Sequence, residues 1–386
     1  MSASQTILIY AELLSNIRQV SVGCSLPTPC LPETRATVSS DGVVLTVNHN
    51  GVEASIRLPG RVASTKHLPA QKLGARNISW RLPLATTLAH RVLPAPDEQT
   101  VPWSAKDLQS GSPVTCRICR ATIVESGTVN VWKDLPSENW AEMMEFWHCH
   151  KPDDHGHGHD EGLTSKGYGA SSRISAQPGV GFVDLTSFLL SETDIPPSAA
   201  SNLPVLCESC KSQIGVFNEQ DSSVSLFKWK VHVDEQTSRG FDKSPNLSHC
   251  ISAMLLATMA RSGCSKSIIL PMKQDQSAQN EPQPDKITQS LLNIWVFNSN
   301  ISFSSTEETR SPIKAVKVFY RMVSRDEADK LLDSMTSDVQ DITLPADAIG
   351  KVIDILGSSN TLLPQSDRQL KEWKVGLLEK WDGIGG

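Results

Sequence analysis

The sequence predicts an α+β protein, β-rich in its N-terminal part and mixed in its C-terminal part. Three observations carry that reading. An Asn50-Gly51 dipeptide separates two alternating apolar runs, prolines recur throughout residues 1–110, and helix start and stop signals cluster in the last third of the chain.

The opening stretch, MSASQTILIYAELL, has no basic segment leading into an apolar run, as a secretory signal needs, and reads as an early strand. Next comes the hairpin. Val43–His49 and Val52–Leu58 flank Asn50-Gly51, a pair suited to a type I′ turn because both central residues there take positive φ. Val43, Leu45 and Val47 alternate with Val44, Thr46 and Asn48, which makes one face apolar. Prolines at 27, 29, 32, 59, 69, 83, 94, 96 and 102 cut the rest of the region into short strands and turns, since each removes a backbone donor and fixes φ.

Two later segments repeat in register. Val114–Val124 is VTCRICRATIV and Val205–Gly215 is VLCESCKSQIG: Val, Cys-x-x-Cys, a basic residue, then Ile. Each resembles a zinc knuckle, in which a tight turn between two strands lets a pair of thiolates converge on one ion. Zinc takes four such ligands in a tetrahedron, so Cys116, Cys119, Cys207 and Cys210 are predicted to form one structural site. Two redox pairs, or four ordinary buried cysteines, are the alternatives. A redox pair opens a helix after a strand, whereas Ala121–Val124 and Gln213–Phe217 read as strand. Cys24 and Cys30, around a Pro-rich turn, and Cys250 and Cys264, near the two ends of one apolar helix, read as small buried hydrophobes.

Between the knuckles, Lys133–Pro152 reads KDLPSENWAEMMEFWHCHKP. Ser137 is the expected N-cap, and Glu138 falls in the positive first turn. Trp140, Met143, Met144 and Trp147 recur at helical spacing as one apolar face. His148, Cys149 and His150 follow past the last turn as a metal- or partner-binding tip. A His/Gly/Ser-rich insert, about residues 153–178, cannot bury a core and is expected to be a mobile loop.

In the second half, Ser244-Pro245 starts a helix to about Ser262 with Gly263 as its stop. Met272–Asp285 is polar and reads as a loop. Leu291–Phe297 and Ile313–Arg321 are strands rich in β-branched and aromatic residues. Ser324-Arg325-Asp326-Glu327 is a capping box ahead of Ala328, Leu331, Leu332 and Met335. Pro345 opens a last helix with Ile349, Val352, Ile353 and Leu356 inward and Gly357 at its end. The chain is accordingly expected to divide into a β-rich region, 1–240, and an α+β region, 241–386.

Composition bounds the function. The chain is 39% hydrophobic and 20% charged with a net charge of −6, which argues against direct nucleic-acid binding through phosphates. No apolar run reaches the length of a membrane span, so no membrane partner is expected. Nine cysteines without an export signal point to a reducing compartment. No Ser-His-Asp set, P-loop or Rossmann glycine pattern occurs, and the catalytic residues, if any, are unknown.

On DLPSENWAEMMEFWHCHKP, the Cys-x-x-Cys upstream of it, IKAVKVFYR and WKVGLLEKW, the sequence resembles the HECT-like ubiquitin-conjugating-enzyme (E2)-binding proteins. The resemblance spans most of the chain and breaks at the His/Gly insert. It implies E3 ubiquitin-ligase-like activity with an E2 partner. It also implies a partnership with the metallo-β-lactamase-type zinc endonuclease of the cleavage and polyadenylation factor that processes pre-mRNA 3′ ends. In that second role Leu135, Pro136, Ser137, Glu138, Asn139, Trp140, Trp147, His148, Cys149 and His150 form the partner element, and Cys149 ligates the partner's zinc. A cytoplasmic and nuclear location is expected. The alternative is a catalytic HECT-like ligase that forms a ubiquitin thioester. Such an enzyme needs a nucleophilic Cys near its C-terminus, yet Cys264 is the last cysteine here and lies far from that end.

Overall fold

The computed structural model describes residues 6–63, 68–69, 71–85, 101–135, 175–196, 204–233, 244–272, 290–307, 311–334 and 338–383. The architecture is α+β and β-rich, with strands in several sheets and three α-helices among the described residues. None of these helices is long and apolar enough to cross a membrane. The chain forms two compact units, one drawn from Met1–Thr100, Leu247–Lys273 and Asn280–Asp382, the other chiefly from Val101–Asn246.

The first unit is organised by a nine-stranded sheet. The early strand, Leu8–Leu14, lies in its middle, between Gln19–Ser25 and Leu291–Ser305, with Tyr10 opposite Ser305. Ile9 and Ala11 are fully buried, as expected of an apolar run in a central strand. Glu12 is buried too, and it is satisfied: the Lys317 ammonium donates to it at 2.7 Å and the Tyr10 hydroxyl at 3.0 Å. Burial pushes the Tyr10 phenol well above its ordinary pKa, which keeps it a neutral donor.

A separate three-stranded sheet holds the hairpin, Val44–His49 and Val52–Arg57, with Arg35–Val38 alongside. Asn50 (φ 52°) and Gly51 (φ 76°) take the positive angles that the turn requires. Leu45 and Val47 are fully buried on the apolar face, and so is His49. The His49 ring nitrogens meet the hydroxyls of Thr28 (2.7 Å) and Thr34 (2.8 Å), which makes it a satisfied core histidine.

The helices are α1 (Leu247–Ser262), α2 (Arg325–Asp333) and α3 (Ala346–Thr361). α1 starts two residues past the Ser244-Pro245 signal and stops at Gly263, whose φ is +71°. In α2 the Ser324 hydroxyl accepts from the Glu327 N–H, while the Glu327 carboxylate pairs with Arg321 at 2.7 Å. α3 runs one turn past Gly357, the end expected from sequence. The extra turn has tertiary partners: Ser359 Oγ accepts from the Leu377 N–H, and the Asn360 amide donates to the carbonyls of Arg368 and Val375. The strand expected at Leu291–Phe297 extends to Ser305 and absorbs its polar stretch in register shifts around Asn298. Of the cysteines read as buried, Cys24, Cys30 and Cys250 are, but Cys264 is only half-buried because it lies beyond the end of α1. Residues 153–174 of the insert, 273–289 and Met335 lie outside the described residues.

The second unit pairs a six-stranded sheet with a three-stranded one. In the larger sheet, Val205–Leu206, Gln213–Asn218, Ser223–Phe227, Ser187–Ser191, Val180–Val183 and Val131–Asp134 lie side by side. The smaller holds Val231–Val233, Val114–Cys116 and Thr122–Val124 in that order. Beside the larger sheet sits Lys228, which is 0% exposed. Its ammonium donates to the carbonyls of Pro102, Trp103 and Asp184 and lies 5.5 Å from the Phe188 ring centroid. Trp103 stacks on Phe188 and holds a positive φ of 49°, unusual for a bulky side chain.

Candidate metal centre

Each Cys-x-x-Cys is a turn between two short strands, and the two turns are built alike. In the first, the Arg120 N–H donates to Cys116 C=O (2.9 Å) and the Cys116 N–H to Ala121 C=O (2.8 Å). In the second, the Lys211 N–H donates to Cys207 C=O and the Cys207 N–H to Ser212 C=O, both at 2.9 Å. The basic residue after each pair takes the left-handed conformation, Arg120 at φ 62° and Lys211 at φ 58°. That conformation reverses the chain so that both sulfurs of a pair point to the same side.

Different neighbours anchor the two turns. Val231 pairs with Cys116 and Val233 with Val114, and the Arg117 N–H donates to Lys230 C=O at 3.0 Å. The second turn is carried by Gln213–Asn218, where Gly215 lies opposite Leu226. A β-carbon on Gly215 would stand 2.3 Å from the Ser225 carbonyl oxygen, so glycine is required for this close approach.

The structure brings Cys116, Cys119, Cys207 and Cys210 together. Their sulfurs all lie within 4.8 Å of one another, with Cys116 to Cys210 at 3.7 Å and Cys119 to Cys207 at 3.5 Å. Four convergent thiols in this arrangement can hold a metal ion.

The electrostatics differ from thiol to thiol. The Ser212 hydroxyl, 3.1 Å from Cys210 Sγ, and the Ser212 N–H stabilise the Cys210 thiolate and lower its pKa to about 6. At the equivalent place in the first turn, the Ala121 N–H lowers Cys119. Burial raises Cys207 to about 12. Sequence reasoning missed Ser212. A signal for it exists nonetheless, because it occupies the repeat position of Ala121, and a hydroxyl there can reach a sulfur.

Of the partner element, only Leu135 is described. It follows strand Val131–Asp134, and its N–H donates to Val183 C=O at 2.8 Å. Pro136, Ser137, Glu138, Asn139, Trp140, Trp147, His148, Cys149 and His150 lie outside the described residues.

Comparison with known proteins gives a consistent result. The profile of the HECT-like ubiquitin-conjugating enzyme (E2)-binding family matches residues 12–375. An uncharacterized protein of Schizosaccharomyces pombe is 24% identical over 300 residues, 74% of this chain and 79% of the relative. An uncharacterized protein of Saccharomyces cerevisiae is 24% identical over 280 residues, 71% of each. An E3 ubiquitin-protein ligase of Homo sapiens is 23% identical over 293 residues, 68% of this chain and 72% of the relative. No solved structure matches the chain significantly.

Proposed function

This chain belongs to the HECT-like ubiquitin-conjugating enzyme (E2)-binding family, and from that membership we propose that it works as an E3-like scaffold: it holds an E2 on a zinc-stiffened surface and forms no ubiquitin thioester itself. The observation that carries this reading is the convergence of the four thiols. Zinc–sulfur bonds of about 2.3 Å in a tetrahedron put the sulfurs about 3.8 Å apart. The 3.5 and 3.7 Å separations and the all-sulfur donor set fit that ion. Bound there, zinc supplies cross-linking rather than chemistry, because four protein ligands leave no open position.

Two of the remaining cysteines, Cys250 and Cys24, are poor nucleophiles. Cys250 is 0% exposed within α1, and burial holds Cys24 at about 12. A thioester relay needs an accessible thiolate. The test mixes E1, a bound E2, ubiquitin and this chain and resolves them on non-reducing gels. The expected result is E2 capture with no reductant-sensitive ubiquitin adduct on this chain. An adduct lost on mutating Cys250 or Cys264 would restore the catalytic alternative.

The finer part of the proposal concerns a second partner, and it rests on the resemblance of the Leu135–Pro152 sequence. This protein, cytoplasmic and nuclear, assists the zinc endonuclease of the pre-mRNA cleavage and polyadenylation factor by offering Cys149 to its metal. A thiolate is a strong zinc ligand and displaces the water that a hydrolytic site keeps in its open position. Cys149→Ala is expected to weaken nuclease binding at least about tenfold, the loss of one strong contact, and to leave this chain's own zinc and melting temperature unchanged. Unaltered nuclease binding would sink the idea, and loss of the chain's own zinc would assign Cys149 to the internal site.

A further inference from the structure

Beside the four sulfurs lies a cavity of about 340 Å³ that opens to solvent and has both knuckles as walls. Ala121 and Ile123 come from the first, Leu206, Glu208 and Ile214 from the second, and Pro196 closes one side. Ile123 and Ile214 are the matching isoleucines of the repeat, so the metal site and the cavity share one framework. The cavity is at the small end of the roughly 300–1,000 Å³ range of ligand pockets, and its open mouth suits an inserted side chain better than an enclosed cofactor. Glu208 is exposed and is the one carboxylate among the lining residues.

The turn next to it carries a second feature. Ile118, between the first pair of cysteines, is 67% exposed. It shares its turn with Cys119, whose sulfur is 3.5 Å from that of the pocket-lining Cys207. A large apolar side chain displayed on a rigid turn, beside an apolar pocket with a charged edge, is the usual anatomy of an energetic centre in a protein interface.

We infer that this surface is where the E2 docks, which rests on the E2-binding reading above. The pocket receives an apolar side chain from a surface loop of the ubiquitin-conjugating enzyme, and a neighbouring Lys or Arg of that loop meets the Glu208 carboxylate. Ile118 covers the apolar remainder of the loop. The family's E2-binding character names the occupant, and the Glu208 carboxylate favours a basic over an acidic residue beside the inserted side chain. The arrangement also assigns the metal a purpose, since losing the cross-link between the turns would separate the two walls.

The test uses the full-length, zinc-loaded chain against a panel of purified ubiquitin-conjugating enzymes by biolayer interferometry. Ile118→Asp, Glu208→Lys and Thr122→Trp, a bulky block from an exposed lining position, are each compared with wild type. Melting temperature and zinc stoichiometry serve as controls. The proposal expects wild type to bind at least one E2, and at least two of the variants to lose about tenfold or more in affinity with zinc and melting temperature retained. Wild-type affinity in all three variants overturns the docking site and leaves the E2 reading intact. If wild type binds no member of the panel, the docking site and the E2 reading fall together.

Discussion

Cys116→Ser is expected to abolish stoichiometric zinc binding and to unfold the unit built from residues 101–246. Cys116 is 0% exposed and pairs with Val231, so it belongs to the core of the smaller sheet as well as to the metal cluster. Structural zinc contributes an apparent ~10–16 kcal/mol in small knuckle-like peptides, and whole domains are stable by only about 5–15 kcal/mol. With zinc in the proposed site, losing the ion would therefore remove most of what holds this unit together. Four thiols must be deprotonated to ligate it, including Cys207, which burial holds at about 12. Zinc uptake should accordingly release protons, and loading should fall as the pH is lowered. Elemental analysis with thermal denaturation checks the prediction, and Cys264→Ser, outside the cluster, is the control that should keep its metal. Full zinc and an unchanged melting temperature in Cys116→Ser would refute the site.

Lys228→Met is expected to destabilise the same unit by about 1–3 kcal/mol, the cost of leaving buried carbonyl acceptors without their donor. The lysine is completely buried and holds three carbonyls, of Pro102, Trp103 and Asp184, that belong to two separate loops. Methionine matches its length but donates nothing. Those oxygens would remain inside the protein without the ammonium, and Trp103 would lose the contact that helps hold its backbone at φ 49°. Urea denaturation monitored by tryptophan fluorescence reads this directly, because Trp103 and Trp132 both contact Phe188 beside the lysine. A change below about 1 kcal/mol, typical of an ordinary surface position, would show that the cage is dispensable.

These two predictions differ in how far the sequence announced them. The cysteine repeat was legible because each knuckle is local: the short runs Val114–Val124 and Val205–Gly215 each contain the strand, the turn, both sulfurs and the return strand. Nothing about Lys228 was legible. A lysine between Phe227 and Trp229 looks like any surface residue, and its burial depends on carbonyls about 45 and 125 positions away, as the separations of its bonds show.

The same division runs through the whole molecule. By itself the sequence determined the Asn50-Gly51 hairpin, the start of α2 at Ser324, the stop of α1 at Gly263, the two knuckle turns and the α+β class. Each of these follows from backbone angles and side-chain caps that act within a few residues. Only the tertiary structure decided that α3 continues beyond Gly357, that Leu291–Ser305 is one long strand, and that Leu8–Leu14 enters the sheet against residues 302–305. It also decided that the two cysteine pairs meet, bringing Cys116 and Cys210 to 3.7 Å across 94 positions of chain. The physical reason is one of range. Turn and cap energies depend on neighbours in the chain and can be read there, whereas strand partners, the closure of the cysteine cluster and the burial of Glu12 and Lys228 are selected by the whole folded chain at once. Short-range preferences permit those pairings, but only long-range packing and the satisfaction of buried polar groups choose among them.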